Sequence, residues 1–176
     1  MKTLYLLRHA KSSWKDPGLA DFDRPLKGRG RRAAKAMAGH MADRGWRPDL
    51  ILCSAAARTT ETLALLDGRL GPRTPRLVDE GLYMAAPARL MEFVNGQDDG
   101  AASILMIGHN PGLEQFAVRL TGGAEGDAFT TLRQKFPTAA LAVLRFAVGA
   151  WRDVGPRGGR LEAFVRPVDV MEAAEG

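Results

Sequence analysis

Four short segments of this sequence carry residue types suited to chemistry on an anion. They are Arg8-His9-Ala10-Lys11, Ser54-Ala55-Ala56-Ala57-Arg58, Asp79-Glu80-Gly81 and Gly108-His109-Asn110-Pro111-Gly112. Each follows a short apolar run, at residues 3–7, 49–53, 76–78 and 103–107. Open α/β sheets bind ligands outside the carboxyl ends of their strands, so the four segments are expected to meet at one place. Two arginines and two histidines gathered there disfavour one another, and each must be desolvated or paired. A phosphoryl group answers both needs: it is dianionic near neutral pH, and guanidinium forks match its oxygens in pairs. Gly108 and Gly112 permit close backbone approach, and a helix starting near Pro111 would turn its positive dipole end toward the same anion.

The elements that must position these residues follow from hydrophobic spacing. The four apolar runs read as buried strands. Apolar residues at near-helical spacing predict helices over residues 27–46, 56–70, 87–94 and 111–120, with Gly45 and Gly71-Pro72 as stops. Residues 139–148, 151–154 and 161–165 read as three further strands between glycine-rich turns. Strands alternating with helices predict an α/β fold with a mainly parallel sheet flanked by helices on both sides. The strand–turn–strand end of the chain predicts an antiparallel edge. One domain is expected over residues 1–170, with 171–176 as a frayed tail.

Composition narrows the classes. The chain has 176 residues, 45% hydrophobic and 26% charged, which is ordinary globular composition. A single cysteine excludes an internal disulfide scaffold and a cysteine-rich zinc module. No run approaches the roughly 18 apolar residues of a membrane span, and residues 1–7 are too short for a secretory leader, so a cytoplasmic protein is expected. The net charge of +5 is unevenly placed: residues 1–35 carry +7 and the remainder −2. That cationic segment points to an anionic partner or to a solvated helix face.

Leu7-Arg8-His9-Ala10 after the first strand, Arg58 early in the second helix and Gly108-His109-Asn110-Pro111 after the fourth strand together resemble the histidine phosphatase (phosphoglycerate-mutase-like) superfamily. The stretches Arg8-His-Ala-Lys-Ser-Ser-Trp14 and Asp21-Phe-Asp-Arg-Pro-Leu-Lys-Gly-Arg-Gly30 are more narrowly similar to phosphohistidine phosphatases of the SixA type. The resemblance implies that His9 is a nucleophile carrying a transient phosphoryl group, with Arg8, Arg58 and His109 holding its oxygens. It implies no cofactor and no metal, the cationic side chains doing a metal's work. Glu80, or the adjoining Asp79, stands where many members place a general acid. Lys11 and Asn110 are further candidates for phosphate or substrate binding. The loop with Asp21, Asp23 and Arg24 is expected to border the pocket, with Arg24 paired to an aspartate. A phosphorylated protein is the expected partner, with an imidazole leaving group that needs little acid assistance. The alternatives are a small phosphate ester as substrate, or a module that only binds phosphate or a phosphoprotein.

Three rival readings have weaker footing. Gly28-Arg29-Gly30-Arg31-Arg32-Ala33 matches a dinucleotide fingerprint, but no strand precedes it. Cys53 to Arg58 resembles the loop of cysteine phosphatases, but with four intervening residues where that loop has five and with no glycine to turn backbone amides inward. No aromatic-interleaved basic stripe marks a nucleic-acid module.

Overall fold

A computed structural model describes residues 1–123 and 126–175. The chain runs β1 (Lys2–Arg8), α1 (Gly28–Asp43), β2 (Leu50–Ser54), α2 (Ala57–Leu70), β3 (Arg76–Asp79), α3 (Pro87–Asn95), β4 (Ser103–Gly108), α4 (Gly112–Leu120), α5 (Asp127–Gln134), β5 (Leu141–Phe146), β6 (Gly159–Val165) and α6 (Pro167–Glu175). Side chains alternate across the pleat, and the two faces of β1 show it. Leu4 and Leu6 join one core cluster with Leu90, Leu113, Phe116 and Leu132 of α3, α4 and α5. Tyr5 and Leu7 join the other with Met37, Met41, Leu63 and Leu66 of α1 and α2. Helices therefore cover both faces of one α/β sheet, as expected.

The six strands lie in the order β3-β2-β4-β1-β5-β6. The first four are mutually parallel; β5 and β6 add antiparallel strands at one edge. From β1 the chain leaves toward α1 on one face, and from adjacent β4 toward α4 on the other. The carboxyl ends of β1 and β4 thus flank a switch point, where open sheets form a ligand crevice. Their register pairs Arg8 with Gly108, and the His9 amide donates to the Gly108 carbonyl at 3.1 Å.

Three local expectations change. Residues 151–154 form no strand: Trp151–Asp153 is a short 3-10 turn. Trp151 and Val154, three residues apart, both enter the core, a spacing that suits a turn and not a period of two. α5 was not legible because it is mostly polar, with Leu132 its one fully buried residue. Residues 171–175, expected as a tail, complete α6, whose Val170 and Met171 pack against the core clusters; Gly176 lies outside the described residues. Among the described residues no helix is long and apolar enough to cross a membrane.

The second glycine of α1, Gly30, has a packing cause. A Cβ on Gly30 would sit 2.1 Å from the Lys11 carbonyl oxygen, which itself accepts from the Lys27 amide at 3.0 Å. Gly30 lets the loop after His9 lie directly on the helix, which accounts for the fingerprint-like pattern. Gly30→Ala is expected to cost about 1–3 kcal/mol by overpacking and to lower turnover by shifting Lys11, read as a lower Tm together with a lower kcat/KM.

Candidate active site

Three elements deliver the four candidate residues to one cavity. Arg8 ends β1 and His9 follows it; His109 follows β4; Arg58 lies in the first turn of α2. All four line a cavity of about 250 Å³, together with Lys11, Ser12, Trp14, Asp21, Arg24, Met84, Asn110 and Thr138. His9, Arg58 and His109 are 6%, 3% and 3% exposed. The two imidazoles stand 5.3 Å apart between centroids.

His9 is held in one tautomer from both sides of its ring. Its Nδ1 lies 2.7 Å from the Ala10 carbonyl oxygen, which can only accept, so Nδ1 carries the proton. Nε2 is then a lone-pair acceptor, and the Arg58 Nε–H donates to it at 3.3 Å. Ala10 is fixed in turn: its amide donates to Thr62 Oγ1 at 3.0 Å, and that hydroxyl donates to the Arg58 carbonyl at 2.7 Å. The loop after β1 and the helix that bears Arg58 are thereby tied together. From the other side, the Ala139 amide donates to the carbonyls of Arg8 and His9, each at 3.0 Å. Ala139 does so at φ 60, and cavity-lining Met84 sits at φ 50. Such left-handed backbone at non-glycine residues stores strain and gathers at functional sites.

His109 and Arg8 line the cavity, and each carries a buried nitrogen without a partner. His109 Nε2 lies 2.7 Å from Ser54 Oγ, which also accepts the Ala56 amide at 3.4 Å. Among the described residues the Ser54 hydroxyl has no other acceptor within reach, so it donates to Nε2, which leaves the proton on Nδ1. That Nδ1 is buried without a partner, as is Arg8 Nε. The rest of the Arg8 fork is anchored by Nη1 on the Phe136 carbonyl at 3.0 Å. Buried polar atoms rarely stay unpaired, and these two belong to residues that line one cationic cavity, a chemistry suited to an anion.

Arg58 is steered by Asp21, 37 residues earlier. Arg58 Nη1 donates to the Asp21 carbonyl at 2.7 Å and Nη2 to its carboxylate at 3.0 Å. Arg24 Nε holds the other carboxylate oxygen at 3.0 Å, and the Tyr83 hydroxyl donates to Asp21 as well. Tyr83 also packs edge-on against His109, 5.3 Å between centroids. One carboxylate thus organises both arginines and the tyrosine.

Charge states follow from burial first. Desolvation pushes His9 down to about 3, with His109, Arg58 and Arg8 lowering it further against the Ala10 bond. Desolvation, then Arg58 and Arg8, take His109 to about 4. Both rings are neutral at pH 7, as a nitrogen nucleophile requires. The Tyr83 hydrogen bond, with help from Arg24 and Arg58, holds Asp21 at about 2 and ionised. Burial pushes Cys53 up to about 12, which removes the thiolate that the cysteine-phosphatase reading needs.

These shifts set a stability profile. An unfolded histidine binds its proton near pH 6.5, whereas folded His9 and His109 do so only near pH 3 to 4. The unfolded state therefore holds more protons between those values, and stability falls as pH drops through that window. Urea midpoints should decline from pH 7 to pH 4, and His9→Asn should flatten the decline; an unchanged slope would contradict the neutral buried ring.

The other expected residues separate. Lys11 is exposed at the cavity rim. Asn110 lines the cavity, but its amide hydrogens go to Glu114 at 3.1 Å and the Phe136 carbonyl at 3.0 Å, so it braces the loop at 136 and offers no donor inward. Glu80 is exposed and outside the cavity lining. Asp79 accepts the Gly81 amide at 2.7 Å and caps a turn. Arg24 pairs with an aspartate, as expected.

A family profile described as the histidine phosphatase superfamily (branch 1) matches residues 4–83. An uncharacterized protein of Mycobacterium tuberculosis is 39% identical over 163 residues, covering 92% of this chain and 99% of the relative. The crystal structure of a candidate phosphohistidine phosphatase SixA from Agrobacterium tumefaciens is 33% identical, with TM-score 0.78 over 94% of this chain and 98% of that one. This chain belongs to the histidine phosphatase superfamily. A second candidate SixA, from Nakamurella multipartitia, is 29% identical with TM-score 0.81 over 95% of this chain and 96% of its own. Within the superfamily, this histidine phosphatase is SixA-like. Sequence reasoning missed four of its positioning residues: Ser54, Thr62, Tyr83 and Glu114. Tyr83 had a signal, since it lies in the segment after β3, four residues past Asp79 and three past Glu80.

Proposed function

We propose that this phosphatase works through phosphorylation of His9 and that its substrate is phosphohistidine on a protein. Nε2 of His9 attacks phosphorus as the bond to the leaving nitrogen breaks, and the leaving imidazole takes its proton from solvent. Water then attacks the phosphoryl group on His9, the N–P bond breaks, and inorganic phosphate leaves with neutral His9 restored. Arg8, Arg58 and His109 hold the equatorial oxygens in both steps. The cationic lining carries the charge, and no metal is assigned a role.

One observation carries the choice of substrate. Asp21, the carboxyl group on the lining, is held ionised by three donors, and Glu80 stands outside. Such a site favours a leaving group that departs with little proton assistance, as imidazole does and an alkoxide does not. A phosphohistidine protein is expected to exceed a panel of alkyl phosphates in kcat/KM, with EDTA leaving the rate unchanged. Glu80→Gln should stay within about twofold of the parent on phosphohistidine. Preference for alkyl esters, or a loss above tenfold in Glu80→Gln, would replace this reading with an acid-assisted esterase.

A further inference from the structure

Beside the catalytic cavity runs a second depression, about 400 Å³ in volume. It lies between the start of α1, the segment before β5 and the start of α6. Lys11 and Thr138 line both spaces, so the groove adjoins the catalytic cavity. Its floor is apolar, with Pro137, Pro167, Val168 and Met171; Val168 is 46% exposed. Around that floor stand Lys11, Arg29 and Lys135. Among the described residues none of these three has a carboxylate within ion-pair distance. Arg166, also on the lining, is neutralised by Asp169 at 2.6 Å. Among the described residues Glu172 is the one acidic side chain on the lining.

The geometry points to this groove as the docking site for the polypeptide around the phosphorylated residue, with acidic and apolar side chains in that polypeptide. The inference rests on the phosphoprotein reading above and names the feature of the protein that is read. Three unpaired cations around a half-buried apolar floor with Val168 exposed complement a segment that alternates carboxylates with aliphatic groups. A compact small-molecule anion is a poorer fit. Among the described residues no unpartnered buried polar atom belongs to the groove, and its cations are exposed and spread over three separate elements. Arg29 comes from the basic run at the start of α1, which has no part in the catalytic cavity. Docking there gives that charge a role: it attracts the partner and sets which flanking sequence is preferred.

The test compares two phosphohistidine peptides, one flanked by glutamate and leucine and one by lysine and serine, with an aryl phosphate that reaches only the catalytic cavity. The variants are the pair Arg29→Glu with Lys135→Glu, and Val168→Asp, each checked by Tm for an intact fold. The parent is expected to favour the acidic peptide at least tenfold in kcat/KM, mostly through KM, and less so at high salt. The charge-reversed pair should abolish that preference while aryl phosphate turnover stays within twofold. Equal turnover of both peptides, or a preference that survives charge reversal, overturns the inference. If neither peptide is hydrolysed but aryl phosphate is, the phosphohistidine reading fails separately. Fluorescence anisotropy of the labelled unphosphorylated acidic peptide then decides the groove: binding weakened tenfold or more by Arg29→Glu with Lys135→Glu supports it, and no binding or unchanged binding refutes it. A small ester with a second anionic group whose KM alone responds to the charge reversal would assign the groove to a small molecule and overturn the docking role.

Discussion

His9→Ala is expected to abolish turnover and the acid-labile phosphoenzyme together. Removing a nucleophile held in place by its neighbours costs on the order of 10⁴-fold or more in kcat, or roughly 5 kcal/mol of barrier. The geometry says why no neighbour can substitute. His109 Nε2 faces Ser54 at 2.7 Å, and the lone pair of His9 Nε2 is set by Ala10 and Arg58. Folding should survive, because His9 is one small ring at a cavity wall and its backbone bonds to Gly108 and Ala139 remain. The measurement is a rapid-quench experiment with ³²P-labelled substrate, comparing label retained on the protein after alkaline and after acid treatment. Acid-labile label persisting on His9→Ala would move the nucleophile elsewhere.

Arg58→Ala should lower kcat by about 10²–10³-fold, or roughly 3–4 kcal/mol, the loss typical of one preorganised donor to a developing charge. Two effects combine in that number. The phosphoryl oxygens lose a guanidinium, and His9 Nε2 loses the N–H that aligns it. Arg58→Lys keeps a charge but cannot span Asp21 and His9 at once, so it should recover only part of the rate. The fold should hold in both variants, since Asp21 keeps Arg24 and Tyr83 and its side chain is 43% exposed. A loss confined to KM would mean that Arg58 serves binding alone.

Much of this site was legible before the fold was known. The strands are local events, each a short apolar run, and the residues just past them are found by reading on. Arg8, His9, Arg58 and His109 are all of this kind, and the structure brings them into one cavity. What escaped depends on which strands neighbour which. Asp21 was expected to border the pocket, but its hold on Arg58 spans 37 residues, and no periodicity announces such a pair. Glu80 follows its strand as His109 follows β4, yet β3 lies at the sheet edge, two strands further out than β4 is from β1. That placement leaves Glu80 exposed.

The sequence by itself therefore determined the class of chemistry: two arginines and two of the three histidines stand at strand ends, a set of donors suited to an anion. Only the tertiary structure decided how that chemistry is tuned. Insertion of β4 between β1 and β2 sets the two imidazoles 5.3 Å apart, burial holds both neutral, and α6 folds back to build the basic groove beside them. The physical reason is the range of the forces involved. Propensity and spacing act over a few residues along the chain, whereas desolvation, charge pairing and groove shape depend on segments that meet only after the sheet has closed its non-local pairings.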